Sequence, residues 1–295
     1  MEPVAPYPVA VVGAGNMGGA MAQRLLTLGW PVEVCDVDAA RRAVLQAAGA
    51  GAHALPAAAV RSARACVVAV VDAAQTETAL FGPQGVAQAM PLGGVVLLCP
   101  TLAPVDVEGL ARRLVPHGLH AVDAPMSGGP TRALDGSMSL MVACPRAVFD
   151  RYGALLQALA GRLFWLGERI GDGARTKLVN NLAAAINLAA AAEVMALARR
   201  LGLDAAQTLT VIEQSSGQSW IGSDRLRRSL AGDHQPRAHL SLLQKDTRLA
   251  VQAADSVGFQ GALGPVVRDL FAQAAAAGLA GQDDAVLYDW LSRRS

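Results

Sequence analysis

Six residues near the start of the chain have the types and spacing to hold a phosphate. Gly13-Ala14-Gly15-Asn16-Met17-Gly18 reads G-x-G-x-x-G, directly after an apolar run at 9–12 and ahead of an amphipathic helical pattern. Gly13 permits a tight turn, Gly15 lets the backbone approach a pyrophosphate, and Gly18 allows close helix–strand packing. The free N–H groups of the helix start then face the phosphates. The next apolar run ends at Asp36, 18 residues after Gly18. A carboxylate there accepts from the adenosine ribose hydroxyls and repels a 2′-phosphate. The pattern predicts a dinucleotide site built from Gly13, Gly15, Asn16, Met17, Gly18 and Asp36, with NAD as cofactor. Arg41 and Arg42 follow closely and could meet a 2′-phosphate, so NADP stays open.

A second signal lies in the basic residues. Of 25, 23 are Arg and two are Lys, Lys177 and Lys245. Arg stays protonated under any relevant condition, whereas burial can bring a Lys into proton-exchange range. Asn181 lies four residues after Lys177, one helical turn on, and so projects from the same helix face. The five histidines form no triad or metal cluster. His117 and His120 have H-x-x-H spacing, but Gly118 intervenes, and no metal site is expected. Cys35, Cys66, Cys99 and Cys144 are widely spaced in or beside apolar runs, which predicts free core thiols in a reducing cytoplasm.

These residues must be positioned by two kinds of structure. In the first half, β-type apolar runs at 9–12, 32–35, 66–71, 95–99, 121–122, 139–142 and 163–166 alternate with helical patterns such as 19–28 and 39–47. The early runs are continuously apolar, as for strands covered on both faces, and the alternation implies a parallel α/β sheet. From Asp172 onward only helical stretches follow, the longest at 174–201 and ending at Gly202. Others fall at 205–214, 224–230, 240–256, 265–276 and 284–291. The expected fold is an α/β Rossmann-type domain over 1–170, followed by an all-α domain over 171–295 for substrate and oligomer contacts, joined by the long helix.

Composition excludes several classes. A 53% apolar content is too high for a disordered chain. A net charge of +1 argues against a nucleic-acid binder and against a polybasic membrane-surface protein. The first Arg is Arg24, so the opening residues lack a basic leader region and no signal peptide is expected. The apolar stretch 178–198 is Ala-rich and contains Asn180, Asn181, Asn187 and Glu193, which reads as a buried helix and not a membrane span. A cytoplasmic location follows.

Four motifs in order resemble the β-hydroxyacid dehydrogenases, typified by 3-hydroxyisobutyrate dehydrogenase. The glycine loop extends to Met21-Ala22 and Leu25. Asp123-Ala124-Pro125-Met126-Ser127-Gly128-Gly129 resembles the family's substrate loop. Gly171-Asp172-Gly173-Ala174-Arg175-Thr176-Lys177-Leu178-Val179-Asn180-Asn181 resembles its catalytic segment. Lys245-Asp246 with Leu249-Ala250 resembles its C-terminal contact with cofactor and substrate. The resemblance implies hydride transfer between NAD and a small β-hydroxyacid, with Lys177 as catalytic acid/base and Asn181 holding the substrate beside it. It places Ser127, Gly128 and Gly129 on the substrate carboxylate, and Thr101 beside the nicotinamide. Val71 and Asp72 line the cofactor, as residues beyond strand ends do. Lys245 approaches nicotinamide or substrate carboxylate, and Trp220, in Ser215-Ser216-Gly217-Gln218-Ser219-Trp220, walls the substrate pocket or joins the core. The resemblance also implies a homodimer or homotetramer, with no nucleic-acid or membrane partner.

The chain departs from the family at Val71-Asp72, where Leu-Pro is usual, and at Pro100, where Ser is usual. The 70–75 stretch is more similar to the sugar-acid, threonate-type branch, and 215–220 to the 3-hydroxyisobutyrate branch. The first expectation is a 3-hydroxyisobutyrate-like substrate. The alternatives are a sugar-acid dehydrogenase or semialdehyde reductase and, in a different class, an inactive NAD-binding interaction module. That module would typically have lost Lys177.

Overall fold

The continuously apolar runs fold as the strands of a sheet covered on both faces. In the computed structural model, which describes residues 5–293, six parallel strands lie in the order β3-β2-β1-β4-β5-β6. They are β1 Val9–Val12, β2 Val32–Cys35, β3 Gly51–His53, β4 Ala65–Val68, β5 Val95–Leu98 and β6 His120–Asp123. Met1–Val4 and Arg294–Ser295 lie outside the described residues, and the reading of the first residues as leaderless falls partly there. Side chains alternate between faces along each strand. Val9, Val11, Val32, Val34, Val67, Val95 and Leu97 enter one core. Ala10, Val12, Cys35, Cys66, Val68, Val96 and Leu98 enter the other. All four cysteines are free and buried.

The structure differs from the single expected sheet. The runs at 139–142 and 163–166 belong to a second, three-stranded sheet of β7 Met126–Ser127, β8 Ser139–Val142 and β9 Arg162–Trp165, in the order β7-β8-β9. β7 runs antiparallel to β8, and β8 parallel to β9. β7 is two residues long and β3 is Gly-Ala-His, half-buried at the sheet edge, so neither carries a periodic apolar signal. A bridge between Asp123 and Ala143 links the two sheets.

The chain divides into two compact units, Met1–Lys177 and Leu178–Ser295. The helix Asp172–Arg200 is continuous through that division. The second unit is helical, with further helices at Ala205–Glu213, Trp220–Leu230, Leu240–Ser256, Leu263–Ala274 and Val286–Arg293. The helix expected from 224 starts at Trp220 because Ser219 caps it, its Oγ accepting from the Gly222 N–H at 3.1 Å. By length and composition the helix Asp172–Arg200 is apolar enough to cross a membrane. Its Ala185, Leu188, Ala189, Ala192 and Met195 are buried in the helical core with Leu240, Phe271 and Leu287.

Candidate active site

The parallel register sets one row of residues across the carboxyl edge of the six-stranded sheet. Cys35 pairs with Val12, Val12 with Val68, Val68 with Leu98, and Leu98 with Asp123. Ligands of open α/β sheets bind beyond this edge. The segments leaving it hold every candidate of the first unit except Lys177. Gly13–Gly18 follow β1, Asp36 follows β2, Val71 and Asp72 follow β4, Thr101 follows β5, and Ser127–Gly129 follow β6.

The glycine loop is shaped by what a side chain would meet. Gly13 has φ +95°, and a Cβ there would stand 2.7 Å from the Ala69 carbonyl oxygen. A Cβ on Gly18 would stand 1.9 Å from the Gly13 oxygen. At Gly15, by contrast, the nearest atom to an added Cβ is Arg41 Nη1 at 3.6 Å, so that side of the loop is open for a close approach. Gly15 also stands at the N-terminus of the helix Asn16–Thr27. Asp36 is nearly buried, at 8% exposure. Its Oδ2 accepts from the Ala14 N–H at 2.6 Å, and its Oδ1 from the Asp38 N–H at 2.8 Å. Each oxygen keeps a lone pair for a ribose hydroxyl. Arg42 donates to the Asp36 carbonyl at 2.7 Å, while the half-exposed Arg41 lies 3.9 Å from the Asp36 carboxylate. Of the two arginines, Arg41 is the one placed beside the loop.

Val71 is exposed, and its N–H donates to Gln75 Oε1 at 3.1 Å. The Asp72 carboxylate caps the next helix through the Gln75 N–H at 2.9 Å, so it is engaged locally. Thr101 is part-buried. Gly128 and Gly129 both have left-handed φ, +132° and +73°. An added Cβ on Gly129 would meet nothing within 4 Å, which leaves its backbone open beside the part-buried Ser127.

Lys177 is only 8% exposed, although it is a lysine in a chain whose surface charge is carried by Arg. It stands five residues into the helix Asp172–Arg200. The carboxylate of Asp123 holds the start of that helix, Oδ2 accepting from the N–H groups of Gly171 at 2.9 Å and Ala174 at 3.0 Å. In the sequence Asp123 only opens the motif that runs to Gly129. Its contact spans 48 residues, and no local spacing signals it.

In the second unit, Asn181 is buried and donates from Nδ2 to Asp246 Oδ2 at 2.5 Å. Exposed Asn180 donates to Asn181 Oδ1 at 3.0 Å. Asp246 Oδ1 lies 2.9 Å from Lys245 Nζ, an ion pair. Asp246 therefore contacts both residues from inside the helix Leu240–Ser256. Lys245 also lines a cavity of about 310 Å³ with Ser241, Gln244, Arg248 and Arg268. Trp220 is 53% exposed and stands outside the core. Among the described residues, no three His, Cys, Asp or Glu side chains group to hold a metal ion.

The open glycine cradle and the buried carboxylate at the β2 end fit an adenine dinucleotide, and with a buried lysine on the same unit they define a nucleotide-dependent oxidoreductase. Residues 8–167 match the family model of the NAD binding domain of 6-phosphogluconate dehydrogenase. Residues 171–291 match the NAD-binding model of NADP-dependent 3-hydroxyisobutyrate dehydrogenase. The chain is 38% identical to L-threonate dehydrogenase of Cupriavidus necator over 282 residues, covering 95% of this chain and 94% of the other. It is 32% identical to 3-hydroxyisobutyrate dehydrogenase of Salmonella typhimurium, whose crystal structure superposes with TM-score 0.90 over 96% of this chain and 99% of that one. A structure of Psf3 in complex with NADP+ and 2-OPP matches with TM-score 0.90 at 26% identity, over 96% and 99%. The chain belongs to the NAD(P)-dependent β-hydroxyacid dehydrogenase family.

Proposed function

We propose that the protein oxidises a small sugar acid of the threonate kind, using NAD in preference to NADP, with Lys177 as the acid/base. The observation that carries the reading is the burial of Lys177 on a helix anchored at the nucleotide-binding edge of the sheet. Bound NAD supplies the hydride acceptor. The hydroxyl proton must leave as the hydride does, and Lys177 Nζ accepts it when neutral and returns it in the reverse direction. Asn181, its amide fixed by Asp246, holds the substrate hydroxyl. Ser127 and the open backbone of Gly128 and Gly129 hold the carboxylate. Lys245 adds a cation for the carboxylate or the nicotinamide, with Trp220 on the substrate side. Asp36 reads the ribose, Val71 and Asp72 line the cofactor, and Thr101 approaches the nicotinamide.

The likeness to L-threonate dehydrogenase and the 70–75 stretch support a sugar acid over the first expectation, 3-hydroxyisobutyrate. The second reading keeps 3-hydroxyisobutyrate, on the strength of the 215–220 stretch and the likeness to the Salmonella enzyme. A domain division near 170, with the helical part serving substrate and oligomer contacts, belongs to the same proposal. So does a homodimer or homotetramer: Val194, Leu197 and Leu201 stand exposed at helical spacing. Free buried thiols support a cytoplasmic setting.

The test is reduction of NAD and of NADP against L-threonate, 3-hydroxyisobutyrate, glycerate and serine, with wild type and Lys177→Ala. Turnover of threonate, with kcat lowered by roughly 10²–10⁴ in Lys177→Ala and cofactor binding unchanged, is expected. Turnover surviving within a few-fold in the variant removes Lys177 from the acid/base role. A flat wild-type panel returns the inactive binding module.

A further inference from the structure

Asp123 joins three elements of the first unit. It ends β6, in register with Leu98 of β5. Its backbone exchanges two hydrogen bonds with Ala143 just beyond β8, at 3.1 and 2.9 Å. Its side chain, 1% exposed, accepts from the Gly171 and Ala174 N–H groups at the start of the helix that carries Lys177. The first N–H groups of a helix have no intrahelical acceptor, and an anion is favoured beside them. The local candidate for this task is Asp172, but its carboxylate is held by Arg169 and Arg175, each at 3.1 Å. The cap is therefore supplied from 48 residues away, by the residue four positions ahead of Ser127.

The fit around this carboxylate is close. A Cβ on Gly173 would stand 2.8 Å from Asp123 Cγ, from its Oδ1 and from the Met141 carbonyl oxygen. Asp123 Oδ1 is buried and makes no well-aligned hydrogen bond to a described residue, although the Gly173 N–H also acts on the carboxylate. Burying a carboxylate is costly, and the N–H groups that Asp123 holds offset that cost only in part, since its pKa is still raised. Such costs persist where a charge or a geometry serves the site.

We infer that Asp123 is a positioning residue for Lys177: it clamps the first turn of the helix and fixes the amine against the Ser127-Gly128-Gly129 loop, whose chain it also starts. The inference rests on Lys177 being the acid/base. Burial, with a smaller push from the Asp172 charge, raises the Asp123 carboxyl to about 6 against the lowering by the Ala174, Gly171 and Gly173 N–H groups. Among the described residues, the thiols of Cys99 and Cys144 also feel its charge. Burial pushes each of these up to about 12, so both are neutral across the working range. The clamp is charged above about pH 6 and loses its charge below it.

The experiment compares Asp123→Asn and Gly173→Ala with wild type in the full-length protein. It reads kcat, KM for the hydroxyacid, Kd for NAD, the pH profile of kcat, and amide exchange over residues 171–178. Asp123→Asn is expected to lower kcat roughly ten- to a hundredfold, as small misplacements of a reacting group do. It should flatten the acid limb near pH 6, speed exchange at Gly171 and Ala174, and leave the NAD Kd within twofold. Gly173→Ala crowds the same carboxylate from the helix side without removing it, and should lower kcat with the same unchanged NAD Kd. It decides the matter if Asp123→Asn does not fold. Faster exchange at Gly171 and Ala174 with kcat and its pH profile kept within twofold would make Asp123 a structural cap only, and overturns the inference. Full activity in Lys177→Ala overturns the acid/base reading instead, whatever Asp123→Asn shows.

Discussion

Asn181 and Asp246, 65 positions apart, share a buried hydrogen bond of 2.5 Å. The bond fixes which way the Asn181 amide faces, because its Oδ1 also accepts from Asn180. What remains for a substrate is one Nδ2 hydrogen and one Oδ1 lone pair. Asp246→Ala should therefore lower kcat/KM for the hydroxyacid about as much as Asn181→Ala does, roughly tenfold or more, because removing either partner strands the other in a buried site. The double variant should cost much less than the sum, since contacting residues couple by about 0.5–3 kcal/mol. Strict additivity in the kinetic cycle would show that Asp246 does not act through Asn181.

Cofactor choice should turn on Asp36. Its two oxygens hold the Ala14 and Asp38 N–H groups, so they shape the loop as well as being available to a ribose. Asp36→Ala should raise the KM for NAD and move the ratio of kcat/KM values toward NADP, by roughly the 1–3 kcal/mol of a lost buried acceptor. Arg41→Ala should weaken NADP alone, since Arg41 stands beside Gly15 and Arg42 is spent on backbone carbonyls. An unchanged NAD-to-NADP ratio in Asp36→Ala would remove that carboxylate from the ribose.

The glycine loop itself has no room for change at Gly18. A Cβ there would sit 1.9 Å from the Gly13 oxygen, which is backbone and cannot swing aside. Gly18→Ala should separate the helix Asn16–Thr27 from the turn and abolish NAD binding, with a stability loss of about 2 kcal/mol or more from overpacking. Gly15→Ala faces only the far end of Arg41 and should keep the fold while weakening NAD binding. Calorimetric Tm and NAD titration separate the two outcomes. Equal NAD affinity in Gly15→Ala and wild type would mean that the pyrophosphate does not approach there.

The parts that were legible in the sequence are those written locally. The G-x-G-x-x-G loop and Asp36 sit within one β-α-β stretch, where spacing alone determines the geometry. Lys177 and Asn181 are one helical turn apart, so periodicity places them together. The helix Leu240–Ser256 begins and ends where its apolar pattern does. What escaped was either short or remote. β3 and β7 have three and two residues, too few for an alternation to register. The bond from Asp123 to Gly171, and the one from Asn181 to Asp246, close loops of 48 and 65 residues that no window spans. Asp246 was in view only because it follows Lys245, and its role as the partner of Asn181 needed the fold.

The same carboxylate that holds the Lys177 helix should make stability and activity run in opposite directions with pH. Burial raises the Asp123 pKa from the ordinary 3.8 to about 6 in the folded chain. Between those values the folded state binds the proton and the unfolded state does not. The stabilising contribution is thus fully present below about pH 4 and is lost as pH rises through about 6. A shift of about two units corresponds to about 3 kcal/mol lost at neutral pH. In Asp123→Asn this titration is absent. Its stability relative to wild type should therefore improve steadily as pH is raised from about 4 to about 7, in parallel denaturant titrations. Over the same interval wild-type kcat should rise, as the clamp on the Lys177 helix gains its charge. A stability difference that stays flat between those pH values would mean that Asp123 titrates like an exposed carboxyl, and its charge would then have no part in setting the helix.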